Sequence, residues 1–386
     1  MKKRICLILT VFLMLSFTSC GNEAPDVLIE NTQGRCEQSV YVGSTTSLAV
    51  APEGYYRLKN LTAGMYLTYI SKDGVEETYL CGKPECSHVD EREMYAVEGC
   101  NAYLGDVLLG SIVCHNGYVY VLEYDSNTFN VTLVKISADG SVHERLMVVG
   151  QAAINGSFYK YVFADDHTIY MTNTEHMSEE HIASLDRIDL TNREMTSVYS
   201  YTGESANISY LKYLDGNVFF MQTQKVEEGI YYTYQLMRYN VSSGETISLV
   251  EDGIQSYTLG DDGLLFYYVA MEGLYRCNLQ TMEPELIREC DEETMYAHLA
   301  CDGTYVYLEN LYNRLLYDAD SEDKMFVCDL NGNLVNAIPA LLIEREVCDE
   351  DYMFSHGYTE NGECWRYIKK EDIADPDVTW TFVKQP

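Results

Sequence analysis

Cys81, Cys86, His88 and Cys100 stand within the twenty residues "CGKPECSHVDEREMYAVEGC". Three thiolates and one imidazole are a sufficient donor set for tetrahedral zinc, and fixing a segment that has no helix or core of its own is a task structural metal performs. The C-x4-C-x-H spacing differs from the C-x2-C knuckle, so metal is one of three readings. Oxidation of a cysteine pair would close the same loop in an oxidising compartment, and free thiols would persist in a reducing niche. All three are structural roles.

Two further groups have residue types that could do chemistry. "DADSED" places Asp318, Asp320 and Glu322 at alternate positions, a pattern that could bind calcium, but Asp323 stands where an EF-hand loop requires glycine. A solvated acidic turn is the competing reading. His115, His167 and His356 fall at the start of, or within, expected inner strands and are candidates for a channel site if two of them face a common axis. Otherwise they are hydrogen-bonded surface histidines. The chain has no nucleophile elbow, phosphate loop or zinc-protease motif. Paired carboxylates for glycoside cleavage cannot be picked out of 60 acids without geometry.

The elements that must position these groups come from a repeat. A Gly- or acid-led turn followed by a strand rich in Tyr, Val, Ile and Phe begins at Tyr55, Tyr118, Thr168, Val218, Leu264, Tyr305 and Tyr352, in steps of 41 to 63 residues. Within each step lie about four short alternating segments separated by Gly, Asp and Asn, with no helix pattern. Four antiparallel strands at this period predict an all-β chain, a seven-bladed β-propeller over residues 45–386, with the Cys/His segment 81–100 as an insertion in the first and longest step. A pair of sandwiches would explain the strands but not the step. The last unit ends with "TWTFVKQ", one strand short, so Thr45 to Ala51 are expected to complete the seventh blade beside Thr379 to Val383 and close the ring.

Ahead of the repeat, Lys2, Lys3 and Arg4 precede an uncharged run from Ile5 to Phe17, a secretory signal too short to be read as a membrane span. The run ends in "LSFTSCGN". Thr18, Ser19 and Cys20 resemble a bacterial lipobox, which implies loss of residues 1–19, a diacylglycerol thioether on Cys20 and a tether over residues 20–44. Two acyl chains, at about 0.8 kcal/mol per buried methylene, anchor a protein stably. The expected location is therefore the extracellular face of the cell membrane; the competing reading is a soluble secreted protein.

The balance of 26 basic and 60 acidic residues gives −34, and loss of the three basic residues of the signal takes it to −37. Such a field disfavours nucleic acid and anionic surfaces and enriches cations. Thirty-four tyrosines against 11 phenylalanines suit half-buried strands and wet binding faces. Of 13 cysteines, Cys6 leaves with the signal and Cys20 is lipidated, so an odd number remains and complete internal pairing is impossible. Cys277 and Cys328 fall within strands, where a thiol serves as a small core residue.

The lipobox, the Tyr-rich repeats and the run "LCGKPECSH" with "CNAY" from Cys100 together resemble lipoproteins of anaerobic Gram-positive bacteria that carry a propeller domain of unknown function. That domain has been likened to the propeller of the low-density-lipoprotein receptor. The resemblance implies a surface-exposed propeller and assigns no reaction; receptor-type YWTD repeats are absent, so nothing of the receptor's activity carries across. The function expected is a monomeric, lipid-anchored binding or scaffolding module for a glycan, peptide or protein. The alternatives are a propeller hydrolase or lyase using channel-mouth carboxylates, and a sensor subunit of a membrane kinase or transporter.

Overall fold

The computed structural model describes residues 48–385 apart from 62–63, 89–98, 109–110, 152–158, 177–179, 226–231, 252, 261–262, 292–296, 311–323, 340–346 and 360–361. The segments 1–19 and 20–44 expected as signal and tether, Cys20, and the acidic stretch with Asp318, Asp320 and Glu322 lie outside the described residues.

The strands form seven antiparallel sheets, each a meander of consecutive strands, arranged as the blades of a β-propeller. Blade 1 holds β1 (Leu48–Ala51), β2 (Gly54–Leu61), β3 (Gly64–Ser71), β4 (Glu77–Tyr79) and β5 (Tyr103–Gly105). Blades 2 to 7 span 113–151, 161–203, 208–250, 254–289, 297–339 and 347–382. Period-two alternation sends each strand's side chains into two different cores. In the second strand of blade 2, Val119 and Val121 pack toward blade 1, whereas Tyr120 and Leu122 pack toward blade 3. Seven such inter-blade cores run round the ring, and the seventh, with Leu48, Tyr55, Ile70, Phe354, Trp365 and Val383, joins the last blade to the first. No blade could shield both of its apolar faces alone.

Tyrosine serves this design twice over. Its ring fills an inter-blade core and its hydroxyl then reaches across to the neighbouring blade: Tyr56 Oη donates to the Ala138 carbonyl (3.2 Å), and Tyr161 Oη to that of Ser111 (2.6 Å). Cys277 and Cys328 are buried free thiols in the same cores.

The ring is closed differently from the sequence expectation. Residues Leu48–Ala51 do not lie beside Thr381–Phe382; they pair with β2 through the two-residue turn Pro52-Glu53, and so form the inner strand of blade 1. Blade 7 is complete without them, because Val347–Cys348 supplies its inner strand. A hairpin to an adjacent segment carries a far smaller loop-closure cost than pairing ends more than three hundred residues apart. The strong strands that seemed to begin each unit are second strands, each preceded by an inner one. His356 accordingly lies on a second strand, and His167 in a turn.

Two polar devices replace the exchanged strand. Across the seam between blades 7 and 1, Lys72 pairs with Asp351 (2.6 Å) and Asp349 (3.1 Å), Tyr55 Oη donates to Asp349 (2.7 Å), and Tyr352 Oη donates to the Lys72 carbonyl (2.8 Å). The carboxyl-terminal tail then lies along β4: Glu77 N–H donates to the Lys384 carbonyl (2.8 Å) and Lys384 N–H to that of Val75 (3.2 Å). On the other flank, the 370–380 connection clasps blade 6. Asn336 donates to the carbonyls of Ile373 and Asp375, and Trp380 to that of Pro339.

Candidate metal centre

The insertion leaves blade 1 through a split outer strand. β4 pairs with β3 at Thr68 to Ile70 and β5 pairs with β3 at Met65 and Tyr66, so two short strands share one edge. Leu67 holds both stems: its N–H donates to the Ala102 carbonyl (2.7 Å), and its own carbonyl accepts from Leu80 N–H (3.0 Å). Cys81 and Cys100 are the residues just beyond those stems, so the cluster sits at the neck of the insertion.

Local sequence builds the neck. In "KPEC", Pro84 takes the second position of a β-turn closed by Cys86 N–H donating to the Lys83 carbonyl (3.0 Å), a place where its fixed φ is favourable. The turn swings Cys86 back toward Cys81. His88 is left-handed (φ 63°), a conformation uncommon outside glycine but enriched for histidine, and its Nδ1 lies 3.7 Å from Cys100 Sγ. Tyr79 stacks on the His88 ring at 4.8 Å between centroids and is flanked by Tyr66, while Lys83 Nζ donates to the Gly99 carbonyl across the neck. Beneath them Tyr66, Cys100 and Ala102 form a small buried cluster.

The one donor atom offered by each of Cys81, Cys86, His88 and Cys100 lies within 4.8 Å of the other three, and among the described residues this is the one cluster of its kind. The three cysteines are unbridged. Burial pushes the Cys100 thiol up to about 12. At Cys81 burial acts the same way but is outweighed by hydrogen bonds from the Lys83 and Asn101 backbone and from the neighbouring thiols, which hold it below the usual thiol range. Burial lowers His88, which favours the neutral imidazole that ligates metal. The arrangement can hold one tetrahedral ion, or it can be oxidised. The first reading uses all four groups, whereas a disulfide leaves one thiol and the imidazole without a role.

The other candidates are not brought together. His115 ends the inner strand of blade 2, stacks on Phe163 of blade 3 at 4.2 Å and lies 3.3 Å from Asp166, so it pins a seam. His167 is exposed in the next blade's turn, its N–H donating to Asp165 (2.8 Å). The backbone of His356 pairs with Trp365 in blade 7. On the inner strands, the buried Lys212 donates to Thr258 (3.0 Å) and ties blade 4 to blade 5. Sequence reasoning missed Tyr79, whose position two residues before Cys81 in "YLCGKPEC" was the available signal, and the split strand, for which no signal exists.

Neither a protein-family profile nor a curated protein matches this chain. Among solved structures, the chain is similar to an oligogalacturonate lyase from Vibrio parahaemolyticus at 10% identity and a TM-score of 0.54, covering 87% of this chain and 89% of that one. It is also similar to the β-propeller domain of the Trilobed protease from Pyrococcus furiosus, described as having an open velcro topology, at 8% identity and 0.49, covering 89% and 97%. An oligogalacturonate lyase in complex with manganese matches at 12% and 0.45, covering 69% and 74%. At such identities the likeness concerns fold, and the fold is a seven-bladed β-propeller.

Proposed function

We propose that the chain is a lipid-anchored extracellular binding module whose glycan, peptide or protein ligand docks on the end of the ring opposite the two-residue turns, with zinc as the resident ion of the Cys/His neck. The observation that carries this reading is an asymmetry of connections. At one end the first and second strands of blades 1 to 4 are joined by two-residue turns, 52–53, 116–117, 166–167 and 215–216. Apart from 370–380, which is spent on blade 6, that end is uniformly short. At the opposite end stop and start the strands that flank the longer intervals of the chain, Gln151 and Tyr161, Lys225 and Tyr232, Glu289 and Ala297, Asn310 and Lys324, and Pro339 and Val347. Loops of unequal length presented by a rigid scaffold are where binding groups concentrate.

The lipobox resemblance at Cys20 supports the anchor. Similarity to the lyases brings no catalytic residues, and a net charge near −37 would repel an anionic oligogalacturonate. The reading is tested in two steps. The wild-type protein should partition into detergent and the Cys20→Ser variant into water. The soluble variant should then bind members of an array of neutral and cationic oligosaccharides and peptides. That binding should weaken with Phe129→Ser or Met271→Ser, which remove exposed apolar side chains at the end opposite the two-residue turns, and not with Val142→Ser at the turn end. Loss of binding through Val142→Ser alone, or depolymerisation of an array member, would overturn it.

A further inference from the structure

We propose that zinc bound by Cys81, Cys86, His88 and Cys100 latches the ring, holding β4 against the seam at which the last blade meets the first. The inference rests on reading the cluster as a zinc site and adds what the ion does for the fold.

The cluster fits the ion. Tetrahedral zinc with bonds of about 2.3 Å to sulfur and 2.0–2.1 Å to nitrogen needs donor atoms roughly 3.5–3.8 Å apart. Cys100 Sγ and His88 Nδ1 already stand at 3.7 Å, and no pair exceeds 4.8 Å. Sulfur-rich donor sets favour zinc, whereas manganese and calcium prefer oxygen. Binding releases the thiol protons to solvent and leaves the zinc, three thiolates and neutral imidazole with one net negative charge. Four protein ligands leave no open position, so the site is structural and not hydrolytic.

The path from the cluster to the seam is short and continuous. β4 has three residues, too few to persist on its own hydrogen bonds, and its end runs through Leu80 directly into Cys81. Its first residue, Glu77, accepts from Arg57 (2.6 Å), Thr68 (2.7 Å) and Lys59 (3.2 Å), and Arg57 lies 5.2 Å from the centre of the Trp365 ring in blade 7. Its last residue, Tyr79, stacks on His88. Lys59 lies 5.6 Å from the Tyr79 ring and also donates to Gln385 in the tail (2.9 Å). The start of β4 meets the tail: Glu77 N–H donates to the Lys384 carbonyl, and Lys384 N–H to that of Val75 just ahead of the strand. Fixing Cys81 therefore fixes the strand on which both the buried carboxylate and the tail depend. Without the ion, β4 frays from the neck and the seam opens locally.

The experiment uses the full mature chain with Cys20→Ser. Zinc content is measured on the purified protein, with Cys86→Ser, His88→Ala and His88→Cys as variants, and cobalt is substituted to read thiolate charge-transfer bands. One zinc per chain is expected, lost in Cys86→Ser and His88→Ala and retained in His88→Cys, because four cysteines also hold zinc. Amide hydrogen exchange is then followed with and without a chelator. Exchange at Glu77 and Lys384 should rise about tenfold or more on zinc removal, while Leu236 and Phe266 in blades 4 and 5 stay unchanged. Absence of zinc, with two of the cysteines oxidised to a disulfide, would overturn the zinc reading. Zinc bound with unchanged exchange at Glu77 and Lys384 would leave that reading standing and overturn the latch.

Discussion

Arg57 and Glu77 form an ion pair 2.6 Å long from which water is almost wholly excluded, the two side chains being 1% and 0% exposed. Buried charges are tolerated only when every partner is in place. Here Thr68 and Lys59 complete the carboxylate, and the Trp365 ring in blade 7 faces the guanidinium. The pair itself lies within blade 1, and the contact of the guanidinium with the Trp365 ring carries it to the closing seam.

Glu77→Gln should be far more costly than removal of the whole pair. The single change leaves the Arg57 charge buried without its counterion, a loss of about 3–5 kcal/mol, whereas Arg57→Met with Glu77→Leu should fall close to the wild type. Urea unfolding of the three proteins measures both. A single-variant loss below about 1 kcal/mol would mean that water reaches Arg57.

The same carboxylate sets an acid limit. Burial alone would raise Glu77, but the charges of Arg57 and Lys59 and the hydrogen bonds from Thr68 and Arg57 outweigh it and hold its carboxyl below the ordinary range. A depressed folded-state value contributes stability that is fully present above the unfolded value, about 4.3, and is lost as pH falls through the folded one. The stability gap between wild type and Glu77→Gln should therefore narrow below about pH 4. A gap constant from pH 6 to 3 would show that Glu77 does not titrate in this window.

Deleting residues 384–386 should remove the two Lys384 backbone bonds and the Lys59–Gln385 contact, at about 1–3 kcal/mol. Because the tail and Glu77 share β4, this loss should be less than additive with Glu77→Gln. Full additivity would place the two devices on independent elements.

The seven units were legible because the second strand of each blade, such as Tyr118–Tyr124, is rich in aromatic and aliphatic residues and is entered from a Gly or acidic turn. Their phase was not. The inner strands include Val113–His115 and Val347–Cys348, three and two residues, and segments so short carry no readable alternation. Starting each unit at its strong strand put Leu48–Ala51, the described part of the expected closing strand, in the wrong blade. The Cys/His set was visible because sulfur and imidazole identify themselves by type. The split strand was not, because β4 and β5 are separated by the whole insertion. Arg57 and Glu77 were hidden for a further reason: charged residues within a strand read as a solvated face.

The turns that set this phase give a last test. Asp215 and Gly216 both have positive φ, 47° and 74°, the two-residue hairpin geometry whose twist matches the flanking strands. An added Cβ at Gly216 meets nothing within 4 Å, so Gly216→Ala should cost only the left-handed backbone, about 1–2 kcal/mol. Gly140 has almost the same φ, 70°, but a Cβ there would stand 2.5 Å from the Leu80 carbonyl oxygen, on the stem that runs into Cys81. Gly140→Ala must therefore add displacement of blade 1's outer edge to the same backbone cost, and it should exceed Gly216→Ala by at least about 1 kcal/mol in urea. Equal losses would show that the Leu80 stem yields freely, which is the behaviour expected of a neck that nothing holds.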